Sequence, residues 1–219
     1  WDRASVKTAW QSLGLLQEPL VRVVPDYYLV WAAAHDLHPA VIAIFGTGSV
    51  LYGNDGVQAM RAGGYGWQWG DIGSGMHLGQ QALRAAMEQW DGIGRPTVLS
   101  DMVYEHLGLS TTKDALDWWY SSSFSPATVA RWAPLVFDYV DTDRVAAQIV
   151  RQEARQVRRN LQRFSRRFSR EPVGLSGGMA PLWLRYFGAD EAVYEITMPA
   201  VIAAAKIAQY IAAGRSIIV

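Results

Sequence analysis

The chain contains no cysteine. Disulfides, thiolate metal sites and cysteine-bound iron–sulfur clusters are therefore excluded, and a cytoplasmic location is the expectation. Histidine is scarce as well. His35, His38, His77 and His106 show no metal-ligand spacing, and there is no helical His-Glu-x-x-His, so no protein metal ligand is nominated. The chain also lacks net charge, because 20 Lys and Arg balance 20 Asp and Glu at a pI near 7.1. Nothing in that balance attracts nucleic acid or an anionic membrane, and neither is expected as a partner. No apolar run reaches the roughly 18–20 residues of a membrane span. Gly73-Ser74-Gly75 has the wrong spacing for a hydrolase elbow, and none is expected there. No internal repeat is found. What remains is 219 residues, 50% of them hydrophobic, enough for a substantial core in one large domain or two small ones.

The informative stretch runs from Val41 to Gly79. Val41-Ile42-Ala43-Ile44-Phe45 is an unbroken apolar run rich in β-branched residues, which predicts a buried strand. Gly46-Thr47-Gly48-Ser49 follows, and Val50-Leu51-Tyr52 starts a second apolar run, so the three read as a hairpin. A turn without bulky side chains lets backbone N–H groups converge on an anion, with the Thr47 and Ser49 hydroxyls as further donors. Two more glycine clusters come next, Gly63-Gly64-Tyr65-Gly66 and Gly70-Asp71-Ile72-Gly73-Ser74-Gly75, the latter directly before a helix predicted from Met76 to Trp90. About half of the 20 glycines lie in this stretch. A glycine-rich hairpin serving only as turns is the plain alternative, and three ordered clusters behind one buried strand argue against it.

The flanks predict alternating helices and short strands. Residues 1–14 read as a helix and Leu20–Val24 as a strand. Pro25 then fixes φ at the start of a helix over Asp26–Asp36. Asp26 stands at a strand-to-helix junction, where both a working carboxylate and a plain helix cap belong. Beyond Gly79, helices are expected from Pro96 to Leu107, over Ala115–Tyr120 behind a Thr111/Asp114 capping box, and from Ala127. Ser121-Ser122-Ser123 reads as a loop. Residues 142–168 read as one long helix with an apolar stripe of Val145, Ile149, Val157, Leu161, Phe164 and Phe168. Its eight arginines between Arg151 and Arg170 are read as a solvated face. Pro172–Leu175 is a strand running into Ser176-Gly177-Gly178, and residues 199–214 form an alanine-rich helix. Of the ten tryptophans, Trp67 and Trp69 lie between glycine clusters and are candidates for ligand contact. The others are expected in the core.

The order Gly-Thr-Gly-Ser after an apolar strand, then GGYGWQWGDIGSG, then Leu175-Ser176-Gly177-Gly178-Met179, resembles the N-acetylglucosamine kinase / BadF-BadG type of ATPase. That family belongs to the actin–hexokinase–heat-shock-ATPase superfamily. The resemblance runs from about Val23 to about Met179. It implies an α/β fold: an actin-like, ribonuclease H-like lobe with a mixed β-sheet flanked by helices. It further implies two lobes with ATP and a sugar between them, residues 41–219 being the C-terminal lobe and residues 1–40 a remnant of the first lobe and its connection.

Residue by residue, the resemblance makes Gly46, Thr47, Gly48 and Ser49 the second phosphate loop and places Gly177 and Gly178 in the adenosine pocket. Asp26 matches the family's general base, although Pro25 stands where Asn is usual. Asp71 matches the Asp of the Gly-Asp-Glu-Gly-Ser motif that contacts sugar hydroxyls, while Ile72 replaces its Glu. Gly64, Trp67 and Asp71 are the substrate-contact candidates. The implied activity is phosphorylation of an amino sugar, N-acetylglucosamine or glucosamine, by ATP with Mg²⁺. A sugar- or nucleotide-sensing protein without turnover is the alternative. Activators of radical dehydratases in the same superfamily hold iron–sulfur clusters by cysteine, which this chain lacks. The family's first phosphate loop, of Asp-Gly-Gly-Gly-Thr type, is not found here. The expectation is therefore that most of the first lobe is absent and that the chain forms a homodimer or associates with the missing lobe.

Overall fold

The computed structural model describes Thr8 and residues 24–168, 172–188, 192–198 and 200–214. The predicted 1–14 helix, apart from Thr8, and the strand residues Leu20–Val23 lie outside these. The centre of the fold is β1 (Ala40–Phe45), the apolar run AVIAIF. β1 pairs antiparallel with β2 (Ser49–Asn54), in a register running from Ala40 opposite Asn54 to Phe45 opposite Ser49. β3 (Ala59–Gly63) adds antiparallel to β2, while β4 (Val173–Ser176) runs parallel to β1 and β5 (Val193–Glu195) parallel to β4. The resulting five-stranded mixed sheet has the order β3-β2-β1-β4-β5.

β1 is continuously apolar because both faces of the sheet are covered. Alternate residues point to opposite sides. Val41, Ala43 and Phe45 join the larger core, whereas Ile42 joins a smaller one with Tyr52. The larger core is closed by α2 (Gly75–Trp90), α3 (Leu99–Leu107), α4 (Thr112–Trp119), α5 (Pro126–Trp132), a 3₁₀ helix (Ala133–Tyr139), α6 (Arg144–Phe168) and α7 (Ala180–Phe187). The smaller core is formed by α1 (Asp26–His35), which packs on β1 and β2, and by α8 (Ala200–Ala212), which packs on α1. Tyr28, Val30 and Trp31 of α1 are buried there. Each contributes roughly 1.5–3 kcal/mol of burial, which ties this helix to the sheet.

Two helices depart from the sequence reading in ways that matter for the site. α3 begins at Leu99 rather than Pro96, because side chains take the amides before it: Gln89 Oε1 accepts from Thr97 N, and Asp143 Oδ2 from Val98 N. On α6 the buried positions in the first half are Ala146, Val150, Glu153 and Ala154, while Val145 and Ile149 are only partly buried. The stripe is thus one residue out of phase there, and it contains a carboxylate.

Candidate active site

The turn between β1 and β2 is closed by Gly46 N donating to Gly48 O at 2.9 Å. Its carbonyls face the start of α2, with Gly75 N donating to Gly46 O at 2.8 Å and Met76 N to Thr47 O at 3.2 Å. Those two amides are therefore spent on the turn. Turn and helix start form one rigid unit. Above it lies a cleft of about 500 Å³ whose walls include Asp26, Gly46, Thr47, Gly48, Ser49, Arg61, Gly64 and Asp71. No atom stands within 4 Å of where a Cβ on Gly46 would lie, so the space beside the turn is open.

Asp26 is the first residue of α1, after Pro25 at φ −65° and ψ 155°. Its carboxylate is exposed, and Oδ1 accepts from Tyr27 N at 2.8 Å. It thus serves the helix start and faces the cleft.

Asp71 is the strained residue of the site. It adopts φ +60°, a left-handed conformation unusual for a residue with a side chain. The carboxyl is buried, at 8% exposure, and its Oδ1 has no hydrogen-bond partner. Burial pushes its pKa above the ordinary carboxylate value, against the opposing pull of the Ser49 and Gly66 backbone N–H groups and of His77. Oδ2 sits 2.8 Å from where a Cβ of Gly48 would be, so Gly48 is the residue that lets this carboxylate reach the turn.

Below Asp71 the loop is pinned from beneath. Gly73 N donates to Glu153 Oε1 at 2.5 Å, and Gly73 O accepts from Trp183 Nε1 at 2.7 Å. His77 Nδ1 lies 2.7 Å from the same Glu153 oxygen. Ser74 caps α2, its Oγ accepting from His77 N at 3.1 Å. Burial lowers the His77 pKa, but the Glu153 hydrogen bond and charge, with the Asp71 charge, outweigh it and leave the pKa raised. Sequence reasoning missed Glu153, His77 and Arg61. For Glu153 a signal existed: an acidic residue in phase with the buried stripe of a long helix.

Trp67 is not on the cleft walls. Its ring packs 5.6 Å from Trp119 and 5.2 Å from Phe124, in an aromatic cluster under the loop. Trp69 is 84% exposed and borders a second depression, on the other side of Asp71, with Arg163 and Arg167. Gly177 and Gly178 are likewise absent from the cleft walls. Gly177, at φ +93°, lies against the Phe45 carbonyl, so the close backbone approach expected of a ligand is made by β1 instead. Gly178 faces open space.

The sequence matches the BadF/BadG/BcrA/BcrD ATPase family over residues 25–209. The chain belongs to that family. It is 30% identical over 155 residues to an N-acetylmuramic acid/N-acetylglucosamine kinase of Clostridium acetobutylicum, which is 70% of this chain and 50% of that protein. It is 35% identical over 101 residues to an N-acetyl-D-glucosamine kinase of Dictyostelium discoideum, 45% of this chain and 31% of that protein. The chain therefore spans half or less of the length of these curated relatives. A solved structure from Chromobacterium violaceum, described as an N-acetylglucosamine kinase, superposes with TM-score 0.71 at 23% identity, covering 94% of this chain and 82% of that one. A second, from Porphyromonas gingivalis and similarly described, gives 0.60 at 20% identity, covering 83% and 63%. These likenesses show the fold, that of the actin-like ATPases. Ile72, which stands where the resemblance implied a Glu, packs partly buried against the main core. A carboxylate does support this loop, that of Glu153 on α6.

Proposed function

We propose that this chain carries the catalytic lobe of an ATP-dependent amino-sugar kinase acting on N-acetylglucosamine or glucosamine. The observation that carries this reading is a single cleft shared by Asp26, the Gly46–Ser49 turn and Asp71. Phosphoryl transfer asks mainly for positioning and for stabilisation of charge on the transferred group. Asp71, on the cleft wall, accepts a hydrogen bond from a sugar hydroxyl. Asp26 takes the proton of the attacking hydroxyl as its oxygen bonds to the γ-phosphorus and the bond to ADP breaks. The open space beside Gly46 fits a phosphate group, and Arg61 on the same wall balances its charge.

Mg²⁺ would arrive with the nucleotide. Among the described residues no group of three His, Asp or Glu could hold a metal, so no step is assigned to it. Gly178 remains the adenosine-side candidate, with Gly177 as its structural support. The homologous kinases that this chain half covers make a further lobe or a second copy the expected complement of the cleft.

The test is a coupled ADP assay with N-acetylglucosamine and glucosamine, beside ATP calorimetry. Asp26→Asn is expected to lower turnover roughly 10²–10⁴-fold with sugar affinity within several-fold. Gly46→Val is expected to fold and to lose ATP binding. Turnover at the wild-type level in Asp26→Asn reduces Asp26 to a helix residue. Binding of both ligands without ADP release selects a sensor, the reading that the Pro25 and Ile72 departures favour.

A further inference from the structure

The long helix α6 was expected to present only an apolar stripe and a solvated basic face, yet it sends one carboxylate into the interior. The Glu153 side chain is 3% exposed, and Oε1 alone meets two partners, Gly73 N at 2.5 Å and His77 Nδ1 at 2.7 Å. Trp183 holds the same residue from its other end, through Gly73 O. Ser74 N donates to Asp71 O at 3.0 Å and closes the turn around Ile72. Both Asp71 and Gly73 have positive φ, at +60° and +89°. A non-glycine residue stays in that conformation only when its surroundings over-determine it. Here the surroundings are Glu153 and Trp183.

We propose that Glu153, together with His77, is a positioning residue that holds Asp71 in its sugar-contact geometry. This rests on the kinase reading for the role of Asp71, but the contact itself does not. His77 is placed between two carboxylates. Glu153 on α6 and Asp71 in the loop are the charged groups that act on it, and α3, α4, α5 and the 3₁₀ helix, all packed on α2, add none. Protonated His77 offsets both negative charges. Neutral His77 can still donate one hydrogen bond, but it leaves two carboxylates uncompensated beneath one short loop. The loop is then held less firmly, and Asp71 with it.

The experiment follows the backbone amide resonances of Asp71 and Gly73 against pH in wild type, His77→Gln and Glu153→Gln, beside steady-state kinetics with the sugar. In wild type the two amides are expected to titrate with the His77 ring. In His77→Gln that titration disappears, and in Glu153→Gln it moves to lower pH. Sugar KM is expected to rise roughly 3- to 10-fold as His77 loses its proton, the scale of one hydrogen bond, with kcat nearly constant. His77→Gln should show no such rise. Glu153→Gln keeps an acceptor for Gly73 N–H and is expected to retain more sugar affinity than Glu153→Ala. Amides that ignore the His77 titration overturn the proposal whatever the activity. A wild-type protein that neither binds nor phosphorylates sugar, while its amides follow His77, overturns the kinase reading and leaves the loop clamp standing.

Discussion

Asp71 combines three costs at one residue: positive φ, a buried carboxyl and an oxygen without a partner. Groups held at such expense are common where function sets the geometry. Asp71→Asn removes the buried charge and keeps a residue that tolerates left-handed φ. It is expected to raise stability by on the order of 1 kcal/mol, about 2–4 °C in Tm, while weakening sugar binding. A thermal melt at neutral pH beside calorimetry checks both, and a loss of stability would mean that the carboxylate serves the fold. At this scale the sequence was legible where chemistry sits on a local motif. The resemblance put Asp26, the Gly46–Ser49 turn and Asp71 forward on local motifs, and the structure lines one cleft with all three. Glu153 lies 80 positions from Gly73 and 76 from His77, so no local pattern links them.

The elements were legible because each carries its own signal. β1 was a β-branched run, α4 had the Thr111 cap, α5 had Ser125-Pro126, and α6 had a stripe of the right period. What pattern alone could not give was which neighbour each element meets. Gly177 is the clearest case, since its glycine was read as room for a ligand. At φ +93° it instead lets the end of β4 pass over the Phe45 carbonyl, after which Met179 N donates to that oxygen at 2.8 Å. Gly177→Ala therefore strains the junction between β4 and the stem of the Gly46–Ser49 turn. It is expected to cost about 1–3 kcal/mol, from the positive φ and the backbone contact together. Gly178→Ala, next to open space, should cost well under half of that. Chemical denaturation of the two variants makes the comparison, and equal costs would remove the special role of Gly177.

For the molecule as a whole, its titrating groups pull stability in opposite directions with pH. The His77 pKa is raised by folding, so its contribution is fully present below the ordinary histidine value of about 6.5 and is lost as pH rises through the folded pKa. His35 works the other way. Burial, with a smaller effect from His38, lowers its pKa, and its stability is lost as pH falls below about 6.5. Asp143 anchors α6 and the segment before α3. Burial raises its pKa, but the Ala146 and Val98 amides, with Thr97 and Val145, prevail and leave it lowered, so its contribution fades in acid. The wild-type melting curve sums these effects and is nearly blind to any one of them. The difference between wild type and His77→Gln isolates the buried pair. That difference is expected to be largest at mildly acidic pH and to shrink as pH rises through the folded pKa of His77. Melts at half-unit pH steps from about 5 to 9 measure it. A difference that stays constant across the range would mean that His77 contributes its hydrogen bond without its charge, and the link between pH and the Asp71 loop would go with it.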